Sequence, residues 1–239
     1  VIKQNAVNTA WLTAALFHYF VEYHLDIFKP LKQLLAGGDV LSPKLVRNVL
    51  DEYPHLTLIN GYGPTENTTF TCCYPMQKVG QVRATVPIGK PVANTKVFVL
   101  DKNRKPVAVG IPGELYTSGD GVANGYLNRD ELTTDVFVPN PFQSDDDPVL
   151  YKTGDLVRYY ADGHLEYLGR IDQQVKIRGF RIELSEVEDA VSKINTIREV
   201  AVIAREDVPR VKRLVAYYVP VKGVQPTSVE LRSELKQSL

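Results

Sequence analysis

A tight turn that carries a hydroxyl, a carboxylate and an aromatic ring follows an apolar run in the first third of the chain. It spans residues 60–66, Asn-Gly-Tyr-Gly-Pro-Thr-Glu, directly after the strand that we predict over residues 56–59. Open α/β sheets bind ligands at the carboxyl ends of their strands. At such an edge Thr65 offers a hydroxyl to phosphate, Glu66 offers a carboxylate to Mg²⁺, and Tyr62 offers a flat face to a base. Taken alone, a turn of this composition is more often structural.

Two further segments carry side chains that suit a nucleotide. In residues 151–156, Tyr-Lys-Thr-Gly-Asp-Leu, the carboxylate of Asp155 beside a glycine could accept hydrogen bonds from vicinal hydroxyls such as those of a ribose. In residues 169–172, Gly-Arg-Ile-Asp, Arg170 could hold a phosphate by a bidentate contact. The alternative interpretations are an ordinary turn residue for Asp155 and a surface arginine at a domain boundary for Arg170.

Other chemistries are excluded by motifs that the sequence lacks. It has no G-x-x-x-x-G-K-[ST] phosphate loop, no G-x-S-x-G, no H-E-x-x-H and no C-x-x-C. Residues 119–124 begin like the dinucleotide fingerprint G-x-G-x-x-G but end in Asn124, and no helical pattern follows. We interpret the three aspartates at 145–147 as a solvated loop rather than a metal site, because no further ligands fall at a useful spacing.

The composition fits a globular chain that binds neither nucleic acid nor membrane. Its 239 residues contain 28 Lys and Arg against 28 Asp and Glu, and 44% of them are hydrophobic. The balanced charge argues against bulk neutralisation of phosphates, and the longest mostly apolar run, residues 10–21, is too short to cross a bilayer. No secretory signal opens the chain. The adjacent Cys72 and Cys73 argue against a metal clip or a structural disulfide, so we expect a cytoplasmic protein.

The first part of the chain alternates between helical and extended patterns. We predict a helix over residues 8–23, a strand over 31–35, a helix that begins at Ser42-Pro43, and the strand over 56–59. This alternation is typical of a sheet with helical crossovers.

The pattern of apolar residues and turn residues changes twice further along the chain. Short β-type runs between residues 86 and 168 predict an antiparallel, barrel-like sheet, in which Asp162-Gly163 predicts a two-residue hairpin turn. After residue 172 we predict a small α+β module with a hairpin over 174–182 and a helix opened by a capping box at 185–188. The predicted parts are an α/β part at 1–80, a β-barrel-like part at 81–171 and an incomplete α+β domain at 172–239.

Five segments in this order resemble the adenylate-forming superfamily, and most closely the amino-acid-activating adenylation domains of non-ribosomal peptide synthetases. They are residues 60–66, 113–127, 151–156, 169–170 and 175–188. The chain starts without Met and stops inside a helical pattern, so we expect it to be a fragment truncated at both ends. The fold class implied is a partial adenylate-forming fold: α/β plus a β-barrel-like subdomain, with a small C-terminal α+β domain.

The resemblance implies a reaction in two steps. An amino-acid carboxylate attacks the α-phosphorus of Mg²⁺-ATP to give an aminoacyl-adenylate and pyrophosphate, and the phosphopantetheine thiol of a peptidyl carrier domain then captures the acyl group. A condensation domain is expected in the same parent chain. The resemblance implies that Thr65 and Glu66 contact phosphate and Mg²⁺, and that Tyr62 stacks on adenine with Asn60 beside it. It implies that Asp155 binds the ribose hydroxyls, that Tyr167 flanks the nucleotide, and that Arg170 contacts ribose or phosphate. Asp172 is implied to be the hinge of the C-terminal domain.

The same resemblance implies an amino-acid pocket. Its aligned positions are Trp11, Leu35, Gly37, Gly61, Thr69 and Phe70. Three of them are bulky and apolar, and we expect the glycines to leave modest room, which suits a branched aliphatic side chain. The pattern favours valine, with isoleucine or leucine next. The alternative interpretation is that Trp11 packs within its helix.

The sequence departs from the family in ways that limit its activity. The Gly/Ser/Thr-rich phosphate loop, the aspartate that pairs with the substrate amino group, and the C-terminal Asn-Gly-Lys are missing, so we expect this polypeptide by itself to have little or no adenylation activity. Asn124 replaces a usual Arg and Ser185 a usual Gly.

The sequence is compatible with two other functions. An acyl- or aryl-CoA ligase of the same superfamily shares the nucleotide segments, although residues 67–70 and 175–188 look more like peptide synthetases. A non-catalytic scaffold that keeps the fold to dock a carrier protein is the second alternative.

Overall fold

The computed structural model of the chain describes residues 2, 4–142, 148–172, 174–177, 180–208 and 211–236. These divide into two compact units, Val1–Ile171 and Asp172–Leu239. The aspartates at 145–147, and residues 178 and 179 of the hairpin predicted over 174–182, lie outside the described residues. Among the described residues, no helix has the length and apolarity needed to cross a membrane.

The first unit begins with a five-stranded sheet in which three parallel strands are followed by two antiparallel ones. The strands, in sheet order, are β1 (Thr9–Thr13), β2 (Gln33–Gly37), β3 (Thr57–Tyr62), β4 (Cys72–Met76) and β5 (Lys90–Pro91). Two helices, α1 (Ala14–Tyr23) and α2 (Pro43–Glu52), supply the crossovers. Short 3₁₀ helices lie at Leu25–Phe28, Thr65–Asn67 and Val79–Gln81.

The helix predicted over residues 8–23 is wrong in its first half, which forms strand β1. The side chain of Thr13 accepts a hydrogen bond from the Leu16 backbone N–H, which caps the helix and makes it begin at Ala14. Ala10 and Leu12 alternate as a half-buried strand requires and pack against the core. The spacing is misleading because apolar residues before and after the boundary between Thr13 and Ala14 recur every three or four positions, as they do in a single helix.

The helices cover one face of this sheet with an apolar core. Pro43 stands at the first turn of α2, as the sequence predicts, and its stripe of apolar residues is buried. Residues that the helices and strands bury together include Phe17, Val21, Val46, Val49, Leu34, Ala36, Leu58 and Met76. The core also includes Val82 and Val86, which lie beyond residue 80. The domain boundary predicted between residues 80 and 81 stays a prediction.

The second sheet of the first unit is antiparallel, in the order β10-β9-β7-β6, and β8 adds to β9. Its strands are β6 (Thr95–Leu100), β7 (Gly113–Gly119), β8 (Phe137–Pro139), β9 (Val149–Tyr159) and β10 (Leu165–Arg170), and helix α3 (Asp130–Val136) precedes β8. The α/β part and this curled antiparallel sheet agree with the expected fold class.

One alternative interpretation and one prediction in the second sheet need correction. Asp155 lies inside the long strand β9, so the alternative that it is an ordinary turn residue is wrong. The loop between β9 and β10 is longer than a two-residue hairpin: the Tyr160 N–H bonds to the His164 carbonyl at 2.8 Å, and Gly163 takes a positive φ of 79°.

The second unit is a small α+β module. It contains β11 (Val175–Ile177), β12 (Phe180–Ile182), α4 (Leu184–Ser192), β13 (Ile197–Val208), β14 (Val211–Pro220) and α5 (Ser228–Leu235). Its core joins Val191, Ile194, Ile197 and Leu231. The capping box predicted at Ser185 is wrong, because the cap position of α4 is Glu183, two residues earlier, and it carries no side-chain cap. A capping box does form at Thr227 and Glu230 in α5.

The two sheets of the first unit meet at Gly89. The Ile88 N–H donates to the Leu165 carbonyl at 2.9 Å, and the Leu165 N–H donates back to the Gly89 carbonyl at 2.8 Å. Gly89 has a φ of 93°, and a Cβ at this position would lie 1.9 Å from the Cys73 carbonyl oxygen. Glycine is therefore required where the chain passes between β4 and β10.

We expect Gly89→Ala to lower the free energy of unfolding by about 2–4 kcal/mol, because it combines backbone strain with a clash against fixed backbone. Urea unfolding monitored by circular dichroism measures the change. Gly80→Ala is the matched control, because Gly80 is exposed and a Cβ there meets nothing within 4 Å. Equal stability of the two variants would contradict this account of the junction.

Candidate functional site

Three side chains predicted to bind a nucleotide meet in direct hydrogen bonds. Tyr62, the last residue of β3, donates its hydroxyl proton to Oδ2 of Asp155 in β9. Nη1 of Arg170, the last residue of β10, donates to Oδ1 of the same carboxylate at 3.0 Å. The structure thus brings Tyr62 into contact with a residue 93 positions away in sequence.

Asp155 is buried, with 6% of its surface exposed, and this burial makes its partners necessary. A buried carboxylate is costly unless it is paired and hydrogen-bonded. Burial, and then the negative charge of Asp155, hold the pKa of Tyr62 well above its usual range. The phenol therefore stays protonated at neutral pH and serves as a donor to the carboxylate.

Thr153 fixes both members of the ion pair, a role that the sequence analysis did not assign. Its hydroxyl accepts the Asp155 backbone N–H at 3.0 Å and donates to the Leu115 carbonyl at 2.7 Å. Its carbonyl accepts a second bond from Arg170 Nη1 at 2.8 Å. The signal that could have identified it is its place two residues before Asp155, where a short hydroxyl side chain can accept the backbone N–H of residue i+2.

Glu66 lies in the 3₁₀ turn after β3 and is buried. Its Oε1 accepts a hydrogen bond from the hydroxyl of Tyr126, and its carbonyl accepts the Ala123 N–H at 2.8 Å. Burial, and then the bond to Glu66, raise the pKa of Tyr126, so this phenol also remains a donor. Tyr126 is a second residue that sequence reasoning left without a role, although it falls in a segment that carries the family resemblance.

Asn60, Tyr167 and Thr65 are the other residues predicted to bind the nucleotide. Asn60 is buried and donates from Nδ2 to the Pro87 carbonyl at 2.8 Å. The ring of Tyr167 lies 6.4 Å from that of Tyr62, measured between centroids. Thr65 is exposed at the start of the 3₁₀ turn. Their roles stay predictions.

The predicted amino-acid pocket lies on the face of the first sheet opposite the helical core. Trp11 pairs in register with Leu35, and Gly37 pairs with Gly61. Because alternate residues of a strand share a face, these four positions share one face of three adjacent strands. Trp11 is 50% exposed there, so the alternative that it packs within a helix is wrong.

A side chain at either glycine of the predicted pocket would meet close neighbours. A Cβ on Gly61 would lie 2.4 Å from Cε1 of Phe70, and a Cβ on Gly37 would lie 2.0 Å from the Gly61 carbonyl oxygen. Phe70 in turn meets the edge of Trp11, with ring centroids 6.5 Å apart. The space above Gly61 is thus filled by an aromatic ring. Thr69 follows Thr68 in the left-handed region and is exposed.

Asp172, the predicted hinge, is the first residue of the second unit. Its Oδ1 accepts the Gln174 backbone N–H at 3.0 Å, which forms a local turn. Its hinge role stays a prediction. Among the described residues, no group of three or more His, Cys, Asp and Glu side chains could hold a metal ion. The metal role of Glu66 stays a prediction.

Comparison with known proteins agrees with this geometry. Residues 1–127 match the model of the AMP-binding enzyme family, and residues 186–239 match that of the AMP-binding enzyme C-terminal domain. One of the subunits of linear gramicidin synthase from Brevibacillus parabrevis is 53% identical over 238 residues, which are 100% of this chain and 3% of the relative. Tyrocidine synthase 3 of the same organism is 45% identical over 238 residues, 100% of this chain and 4% of the relative.

A solved structure extends the likeness to three dimensions. Holo-PA1221, described as an NRPS protein containing adenylation and PCP domains bound to a vinylsulfonamide inhibitor, superposes with a TM-score of 0.87 at 38% identity. The match covers 97% of this chain and 40% of that one, so the chain spans less than half of the structure it matches. The predicted family and fold class are confirmed. The chain belongs to the AMP-binding enzyme family.

Proposed function

We propose that this chain supplies the nucleotide- and amino-acid-binding part of an adenylation domain that makes an aminoacyl-AMP and pyrophosphate from ATP and a branched aliphatic amino acid, with valine favoured. The observation that carries the proposal is the direct contact of Tyr62 and Arg170 with the buried carboxylate of Asp155. Membership in the AMP-binding enzyme family supports it independently.

The reaction joins two anions, the amino-acid carboxylate and the α-phosphate, so the protein has to hold them in line and offset their repulsion. Asp155 would accept the ribose hydroxyls and fix the nucleotide by its sugar. Arg170 would bring a permanent positive charge to the same end of the sheet, where two acceptors already fix its guanidinium. Tyr62 and Tyr167 would flank the base.

The residues present fit Mg²⁺ bound jointly by protein and nucleotide. Glu66 is a hard oxygen donor oriented by Tyr126, and Mg²⁺ is usually held by one or two carboxylates together with substrate phosphates. When bound, the ion would neutralise phosphate charge. Thr65, exposed beside Glu66, would offer its hydroxyl to the phosphates.

The pocket face supports an apolar substrate side chain. Trp11, Leu35 and Phe70 line it without a charge, and Phe70 closes the space above Gly61. Such walls would favour valine over larger residues, and each methylene of difference is worth about 1–3 kcal/mol. Thr69 would stand at the rim.

The proposed second step is transfer of the acyl group to the phosphopantetheine thiol of a peptidyl carrier domain, in the cytoplasm, with a condensation domain in the same parent chain. Support comes from the PCP domain named for the PA1221 structure and from the position of Asp172 where the two units divide. Rotation at Asp172 would let the second unit, including β11 and β12, serve both half-reactions.

We expect this polypeptide by itself to show little or no amino-acid-dependent ATP–pyrophosphate exchange, because its sequence holds neither a Gly/Ser/Thr-rich phosphate loop nor an Asn-Gly-Lys. The active form to test is a completed domain, in which this chain is joined to the segments that flank the matching region of its linear gramicidin synthase relative. The completed domain should exchange with valine and not with fatty or aryl acids. Exchange by the isolated chain at the rate of the completed domain would refute the assignment of the missing groups.

Asp155→Asn in the completed domain should lower kcat/KM for ATP about a hundredfold, because the ribose would lose a charged acceptor. Pyrophosphate exchange at varied ATP measures this. Asp51→Asn makes the same chemical change on the exposed face of α2 and should leave the rate unaltered. Equal kcat/KM values for ATP in the two variants would show that Asp155 does not bind the sugar.

Gly61→Ala should lower kcat/KM for valine by about tenfold to a hundredfold, because the new methyl group displaces the ring of Phe70. The effect should be smaller in the presence of Phe70→Leu, since the smaller side chain leaves room for the methyl group. Exchange assays of both single variants and the double variant form the cycle. Strictly additive effects would show that the ring does not transmit the change.

A further inference from the structure

Asp155 has acceptor capacity beyond the two bonds that hold it. A carboxylate offers about four lone-pair sites. Among the described residues, Oδ2 accepts one bond, from Tyr62, and Oδ1 accepts one, from Arg170, so each oxygen can accept once more. Two vicinal hydroxyls could therefore bind Asp155 without displacing either partner.

We propose that the hydroxyl of Tyr62 is a positioning group for the nucleotide sugar: it orients the carboxylate of Asp155 so that it accepts the ribose hydroxyls. The inference rests on the proposed function and adds to it. The ring of Tyr62 and its hydroxyl would then have separate tasks, since the ring flanks the base and the hydroxyl acts on the sugar through Asp155.

The surroundings of Tyr62 favour a lasting contact over a bond that the sugar displaces. Its side chain is 9% exposed and packs in an apolar cluster with Cys72, Ile88 and Leu115. A ring held in this way cannot swing aside without opening a cavity. Because its pKa is well above the usual range, the phenol remains the donor partner of the carboxylate. The hydroxyl therefore stays on Asp155 when the sugar arrives.

The test compares ATP with 2′,3′-dideoxy-ATP in the completed domain by titration calorimetry. Tyr62→Phe keeps the ring and removes the hydroxyl. We expect it to weaken ATP binding about tenfold, because a hydrogen bond to a charged group changes an equilibrium constant by about this factor. Binding of dideoxy-ATP should weaken less than about twofold, because its sugar has no hydroxyls for the carboxylate to accept.

Tyr159→Phe is the matched control. Tyr159 packs against the same cluster, but its hydroxyl donates to the Val97 carbonyl at 3.3 Å rather than to Asp155. It should leave both affinities unchanged. The ratio of the two affinities within one preparation does not depend on the fraction of folded protein, so partial unfolding of Tyr62→Phe cannot imitate the result.

A measurement on the unaltered protein covers the case in which Tyr62→Phe fails to fold. With ¹³C-labelled tyrosine, the Cζ resonance of Tyr62 should respond differently to ATP and to dideoxy-ATP. Equal loss of both nucleotides in Tyr62→Phe, tighter binding of ATP, or identical resonance changes would each overturn the inference. Absence of nucleotide binding and of exchange in the unaltered completed domain would instead refute the proposed function itself.

Discussion

A buried carboxylate that needs partners from two other strands governs the arrangement of the first unit. Asp155 sits in the middle of the long strand β9 with little exposed surface. Its hydrogen-bond partners stand at the last residues of β3 and of β10, which belong to different sheets. Removing one partner of a buried charge is costly. The same hydrogen bonds to Asp155 therefore join the two sheets and assemble the candidate site.

Further contacts tie the segment between β4 and β5 to the second sheet. Glu166 of β10 is buried and accepts a hydrogen bond from Thr85 of that segment at 2.6 Å, and one from Arg158, its neighbour within the second sheet, at 2.6 Å. Burial alone would raise the pKa of Glu166, but these bonds outweigh it and lower the pKa. The exposed ion pair of Arg83 with Asp162 contributes less, because solvent screens it. Contacts of this kind favour a preformed geometry for the residues predicted to bind the nucleotide, as sites on rigid elements require.

Sequence patterns predict the elements that rest on local chemistry. Helix α2 follows from Ser42-Pro43 and its apolar stripe, and the family segments lead to Tyr62, Asp155 and Arg170. The failures occur where local signals compete or where contacts are remote. The predicted start of α1 is too early because periodicity does not locate a cap at Thr13. No periodicity can show that Phe70 fills the space above Gly61, since only the folded loop brings them together. The positioning roles of Thr153 and Tyr126 escape sequence reasoning for the same reason.

Strand β3 links the two halves of the proposed chemistry through its pleat. Asn60 and Tyr62 point to one face, where they contact Pro87 and Asp155, whereas Gly61 between them points to the opposite face under Phe70. In the proposed reaction the nucleotide and the amino-acid side chain would thus be read on opposite faces, and the reacting groups would meet at the carboxyl end of the strand. A shift of β3 by one residue would exchange the two sets of side chains. The register of β3 against β2 and β4 pairs Gly61 with Gly37 and with Cys73. In the proposed reaction this register would fix the functional arrangement as well as the fold.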